Sequence, residues 1–344
     1  MPRLDRIRAS RLRGLAGDAV SLGPVHLVTV LLVVAAAASG ALALSVSQDG
    51  TQVRPAGAAT ADETLIATAL ADSDATVPAQ QRGVGGAAAT DAAALPANAT
   101  DTDGDGLADE TERQLGTDPT DPDTDGDNIP DGAEVHDEAR YPDADPLGQD
   151  IYVEVDATGE NRISEGAIAR IEETFASAPV ENPSGESGID VHVLVDDRGL
   201  ESNATVYSRD RAGPRNDIYD FRAEQFDARG SGYYYVLLAD DVAYNGDSRY
   251  VGAGRPGVVA MQTFDSPKLT ASLFMHELGH AFGLDGGADG IDTETYSTTE
   301  YDSVMNYNGL YKQFGYSDGT DDVGRDEWAY VADERYQPGA DGGS

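Results

Sequence analysis

The run from Met275 to Asp285, Met-His-Glu-Leu-Gly-His-Ala-Phe-Gly-Leu-Asp, constrains this chain more than any other stretch. His276 and His280 are four apart, so on a helix they share one face, one turn from each other. Two neutral imidazoles facing one point suit Zn²⁺, and Glu277 stands beside the first, where it could take a proton from a water on the ion. The spacing is that of H-E-x-x-H. Gly283 ends the helix, because glycine enters the left-handed C-cap position without steric cost. Leu273, Phe274 and Leu278 also give the stretch an apolar face, so the bare pattern fits a buried helix with two satisfied histidines too.

A second signal, Ser303-Val304-Met305-Asn306-Tyr307, lies downstream. Helix and turn together resemble the metzincin metalloproteases, closest to their pappalysin-like branch, whose zinc helix is followed by a Met-turn. The resemblance spans about residues 150 to 335 but is specific only at these two sites. It implies a mixed, twisted α/β (α+β) sheet carrying a zinc-binding active-site helix and a Met-turn. It also implies hydrolysis of peptides by a zinc-activated water, with Glu277 as general base and Tyr307 beside the metal or the oxyanion. Met305 would be a packing floor under the ligand imidazoles. The sequence departs from the family pattern at the third ligand, expected three residues past the glycine, where Gly286 has no side chain. A carboxylate can replace imidazole on zinc. Asp285, with a loop one residue shorter, is the expected third ligand, and Asp289 is the alternative. A degenerate, inactive site is the competing reading.

Residues 101 to 134 contain an internal repeat. Asp101, Asp103, Asp105, Leu107, Asp109 and Glu112 form the first unit; Asp123, Asp125, Asp127, Ile129, Asp131 and Glu134 form the second. Positions 1, 3, 5, 9 and 12 bear side-chain oxygens and position 7 offers a carbonyl, which is calcium-loop spacing. Gly106 fills the tight-turn position, and Asn128, which tolerates left-handed backbone, replaces it in the second unit. Carboxylates this close repel one another unless a cation joins them. Flanking EF-hand helices are not evident. The segment Gly116-Thr-Asp-Pro-Thr-Asp-Pro122 resembles the linkers of thrombospondin type 3 repeats, which implies a rigid, Ca²⁺-stiffened spacer.

The formal net charge is −39, from 62 Asp and Glu against 23 Lys and Arg, which excludes a nucleic-acid partner by repulsion from phosphate. An apolar content of 40% is enough for a folded core, so the charge reads as an acidic coat, resembling proteins of extreme halophiles. There is no cysteine, and hence no disulfide scaffold. Arg3, Arg6, Arg8, Arg11 and Arg13 precede an uncharged run from Ser21 to Gln48, whose core, Val25 to Val46, is long enough to span a bilayer.

These features divide the chain into a cytoplasmic basic segment (1–20), a transmembrane anchor or cleaved signal peptide (21–48) and a disordered linker (49–97). Calcium-binding repeats (98–147), a zinc metallopeptidase domain (148–335) and a flexible tail (336–344) come after them. Asn98 and Asn203 lie in glycosylation sequons. In the main domain, strands are expected at 151–155, 189–195 and 233–239, with an edge strand and a neighbour within 250–261. Helices are expected at 162–175 and 269–282, with a closing helix within 324–336. The stretch 207–228 gives no clean period and reads as a surface loop. The expected function is a monomeric, cell-surface zinc endopeptidase acting on extracellular peptides or proteins, attached to the membrane by its N-terminal segment or secreted if that is cleaved. The alternative is an inactive, calcium-stabilised surface binding or adhesion protein.

Overall fold

The computed structural model describes residues 99–201, 205–209, 217–245, 248–285 and 290–339. The basic segment, the apolar run, the linker, both sequon asparagines and Asp289 lie outside them. Among the described residues no helix is long and apolar enough to cross a membrane.

Two short helices open the described chain, α1 (Asp109–Leu115) and α2 (Asp131–His136), each closing one acidic loop. The sequence shows no helical period there. Each helix begins on the acidic residues that end its loop, Asp109 and Glu112 in α1 and Asp131 and Glu134 in α2.

The main domain is built on a five-stranded sheet: β1 (Asp150–Thr158), β2 (Asp190–Leu200), β4 (Tyr234–Leu238), β7 (Gly252–Arg255) and β8 (Val258–Met261). Its order is β2-β1-β4-β8-β7, with β2, β1, β4 and β8 parallel and β7 antiparallel at the edge. A smaller sheet joins β3 (Val206–Tyr207), β5 (Val242–Asn245) and β6 (Ser248–Tyr250). Helices α3 (Glu165–Ala176), α4 (Ile218–Gln225), α5 (Pro267–Phe282) and α6 (Glu327–Asp333) complete the fold. This is the mixed α/β class.

Successive side chains on a strand point to opposite faces, and β1 and β4 use both. Ile151, Val153 and Val155, with Tyr234, Val236 and Leu238, pack into one core with α3, α5 and α6. Tyr152, Tyr235 and Leu237 pack into a second core with Ile218 and Phe221 of α4, and with Ile129 and Tyr141 from the acidic module. A parallel sheet covered on both faces explains the unbroken apolar run of β4. The polar residues of β1 on the second face are satisfied. Glu154 accepts from the backbone N–H groups of Asp227 and Ala228, and Asp156 from Tyr235 Oη and the Asp197 N–H.

The helix α4 falls within the stretch expected to be a loop. Asp217 caps it, its carboxylate accepting from the N–H groups of Tyr219 and Asp220, both at 3.0 Å. Only Ile218 and Phe221 of the helix are buried. Two anchors leave too little period to read.

Candidate metal centre

Helix α5 carries the two histidines. Ser266 caps its start, Pro267 fills its first turn, and Gly283 ends it at φ 100°. From Thr270 to Phe282 every residue is buried, because α5 lies under the sheet edge and against α3. Two glycines of β7 permit that approach. A Cβ at Gly254 would lie 2.7 Å from the Cβ of His280 and closer still to the Glu277 carbonyl. A Cβ at Gly252 would collide with the Glu277 carboxylate. The edge strand then holds that carboxylate, the Gly254 N–H donating to Glu277 Oε2 at 2.8 Å.

Both imidazoles are oriented from behind. Nδ1 of His276 is 2.9 Å from the carbonyl of Val304, and Nδ1 of His280 is 2.6 Å from that of Leu284. A carbonyl only accepts, so each Nδ1 carries the proton and each Nε2 presents its lone pair forward. The two Nε2 atoms face Asp292 Oδ1, at 3.7 Å from His276 and 3.2 Å from His280.

This set fits zinc. Bonds of 2.0–2.2 Å in a tetrahedron put ligand atoms about 3.3–3.5 Å apart. The observed separations bracket that value. The donors also suit zinc in kind, two neutral imidazoles and one carboxylate.

Asp292 is the carboxylate that the structure brings to the histidines, and Asp285 is exposed. The physical reason is local. Beyond the left-handed turn at Gly283, Leu284 is fully buried and its carbonyl is taken by His280. The next residue, Asp285, therefore emerges at the surface. Asp292 is returned by pairing with the turn below: its N–H donates to the Met305 carbonyl at 3.1 Å, and the Tyr307 N–H to the Thr293 carbonyl at 3.1 Å. Asp292 itself has φ 57°, a left-handed conformation aspartate tolerates better than most.

The turn Ser303–Tyr307 forms the floor. Met305 is fully buried, and a Cβ at Gly279 would come 2.5 Å from its sulfur, so it lies against the helix turn between the two histidines. Tyr307 lies beside the first histidine, its ring centroid 5.7 Å from that of His276. Behind the floor stands a residue the sequence did not single out, Glu327 of α6. Its buried carboxylate accepts from Ser303 Oγ, Tyr301 Oη and the Ser317 N–H. Ser303 Oγ in turn accepts from the Met305 N–H at 3.0 Å. Burial pushes the Glu327 carboxyl up, against the lowering effect of the Ser303 and Tyr301 hydroxyls.

The acidic loops form a second group of candidate ligands. Asp101, Asp103 and Asp105 converge, as do Asp123, Asp125 and Asp127. Gly106 (φ 99°) and Asn128 (φ 76°) take the left-handed turn in each unit, and Leu107 and Ile129 are buried. Glu112 and Glu134 are buried with neither carboxylate oxygen hydrogen-bonded among the described residues. Burial, then repulsion from neighbouring aspartates, pushes Glu112 up to about 7 and Glu134 to about 11. Asp109 and Asp131 act as clasps, accepting from the Thr102 and Thr124 hydroxyls of their own loops.

A family model of the bacterial TSP3 repeat matches residues 101–122, the first acidic loop with its linker. No curated protein sequence matches the chain. Among solved structures, the chain is similar to archaemetzincin from Methanopyrus kandleri, with a TM-score of 0.32 and 13% identity over 52% of this chain and 93% of that one.

Proposed function

We propose that the chain is a zinc-dependent endopeptidase. The observation that carries this reading is the convergence of His276 Nε2, His280 Nε2 and Asp292 Oδ1 at tetrahedral ligand spacing, with Glu277 adjacent to the first ligand. His276, His280 and Asp292 would hold the zinc, which when bound would supply Lewis acidity and acidify the attacking water. Glu277, whose carboxylate is steadied by the Gly254 N–H, takes the proton from the attacking water and hands it to the leaving amine. Tyr307 donates to the developing oxyanion. Strand β7 ends the five-stranded sheet beside this centre, and an extended substrate pairs with its backbone there.

In the same reading the acidic loops bind Ca²⁺ and space the domain from an N-terminal membrane segment, so the substrates are peptides or proteins outside the cytoplasm. The test is zinc content beside hydrolysis of a quenched-peptide library, in salt and calcium. Glu277→Gln should keep stoichiometric zinc and lose about 10²–10⁴-fold in kcat. A variant as active as the wild type overturns the mechanism. A zinc-replete wild type that cleaves nothing overturns the peptidase and leaves the non-catalytic surface protein.

A further inference from the structure

The two acidic units dock in the same way, each onto the next segment of the chain. In the first, Asp105 Oδ1 accepts from the Leu107 N–H at 2.7 Å, and Oδ2 from the N–H of Gly132, in the second unit, at 2.6 Å. In the second, Asp127 Oδ1 accepts from the Ile129 N–H at 2.7 Å, and Oδ2 from the N–H of Asp150 at 2.8 Å. Asp150 is the first residue of β1. The central sheet of the main domain thus takes the place against the second unit that the second unit takes against the first.

Asp150 brings a carboxylate to that place. Asp127, Glu134 and Asp150 are all buried, and each offers an oxygen within 4.8 Å of the others. Glu134 is 4% exposed, and neither of its oxygens has a hydrogen-bond partner among the described residues. Asp125 Oδ2, on the same loop, is also buried without one. The Arg335 guanidinium is close but is directed at carbonyls, Nη2 donating to Asp127 O at 3.0 Å and Nη1 to Val331 O at 2.9 Å. Asp150 Oδ1 meets His192 Nε2 and Oδ2 accepts from the Asp145 N–H at 3.0 Å, and each oxygen keeps a further lone pair for a cation. Four buried carboxylates therefore gather beside one arginine and one histidine.

We propose that Asp150 completes the calcium site of the second loop, so that a single Ca²⁺, held by Asp127, Glu134 and Asp150, fastens the acidic module to the sheet of the main domain. Calcium takes oxygen ligands at 2.3–2.6 Å, so two ligands on one ion lie no more than about 5 Å apart, as these do. The inference is independent of the chemistry at His276. Strand β1 is flanked by β2 and β4, so an ion at its first residue acts on the core of the domain. Without calcium, like charges are buried against one another at that junction. With it, they become ligands, and the folded domain gains the binding free energy.

The experiment uses the full chain, freed of calcium by a chelating resin and reloaded with zinc. Trp328, the chain's one tryptophan, packs edge-on to Phe175 and Tyr316 and reports unfolding of the main domain. Adding calcium should raise the melting midpoint read from its fluorescence. In Asp150→Asn, calorimetry should show one class of calcium sites weakened by about tenfold or more, and the calcium-dependent rise should shrink with it. Asp103→Asn, in the first loop, should weaken a different class and leave most of the rise. If Asp150→Asn shows no cooperative transition in any calcium concentration, Glu134→Gln, which leaves β1 and its His192 contact unaltered, carries the same expectation. A wild type whose Trp328 midpoint ignores calcium overturns the proposal. So does unchanged calcium affinity in the variant that folds, whatever its melting behaviour.

Discussion

Replacing Asp292 by alanine tests the composition of the metal centre directly. The structure fixes the expected size of the effect. Asp292 Oδ1 is 3.2 and 3.7 Å from the two Nε2 atoms, the spacing of ligands on one tetrahedral ion. Removing it leaves two imidazoles. Losing a residue that merely orients a ligand costs about 10–100-fold in metal affinity, so losing a ligand should cost at least about 100-fold, or roughly 3 kcal/mol. The assay is competition for zinc against a chromophoric chelator, run beside peptide hydrolysis at saturating zinc. Asp292→Ala should lose both properties. Asp285→Ala, at an exposed position, should keep zinc affinity within a few-fold of the wild type. Asp289→Ala completes the series. The reasoning is refuted if Asp292→Ala binds zinc like the wild type while one of the other two does not. A drop of only a few-fold in Asp292→Ala would instead mean that its carboxylate contacts the histidines without binding the ion.

Three further outcomes rest on the packing and the buried charges. Gly254→Ala should keep zinc but lose about 10²-fold in kcat, because the new Cβ pushes β7 off the helix and takes the N–H from Glu277; calorimetry for zinc and steady-state kinetics check it. Met305→Leu should keep zinc and most activity, since a fully buried thioether is exchanged for an alkyl group of similar volume, at a cost under about 1.5 kcal/mol in denaturant unfolding. Burial raises the Glu154 carboxyl from 4.5 to about 7, against the lowering effect of the Ala228 and Asp227 N–H groups. The folded state thus holds a proton that the unfolded state releases earlier. Its contribution to stability is complete below about pH 4.5 and is lost as pH rises through about 7, by no more than roughly 3 kcal/mol. Glu154→Gln should flatten that part of the denaturant-midpoint profile, and an unaltered profile would refute the assignment.

How far the fold can be read from the sequence depends on how many core contacts each element makes. Strand β4 lies in the middle of the sheet with both faces covered, so its apolar run is unbroken and plain. The helix α5 is buried over most of its length, and its end is marked by a glycine. The helices α1 and α2 escape such a reading because their sequences are the ends of the acidic loops, charged where an amphipathic helix would be apolar. The helix α4 escapes it because it buries only two side chains, with Tyr219 half-buried against the same core, although the cap residue Asp217 marks its start.

The site is legible where its groups are close along the chain and illegible where they come together through the fold. His276, Glu277 and His280 are fixed relative to each other by one helical turn, so their sequence spacing determines their geometry. Asp292 is set by something else, the backbone pairing of residues 292–293 with 305–307. No local pattern distinguishes it from Asp285 or Asp289, and a rule that counts from the glycine stops at Gly286, short of it. The same holds behind the floor. Glu327 reaches the centre through Ser303, and the Val304 carbonyl that orients His276 belongs to the residue after that serine. A single carboxylate on α6 therefore holds the turn that orients His276. Three segments distant in sequence, α5, the turn and α6, are thus tied together at one place. With only seven residues, α6 closes the apolar core through Trp328 and anchors the metal floor through the residue next to it.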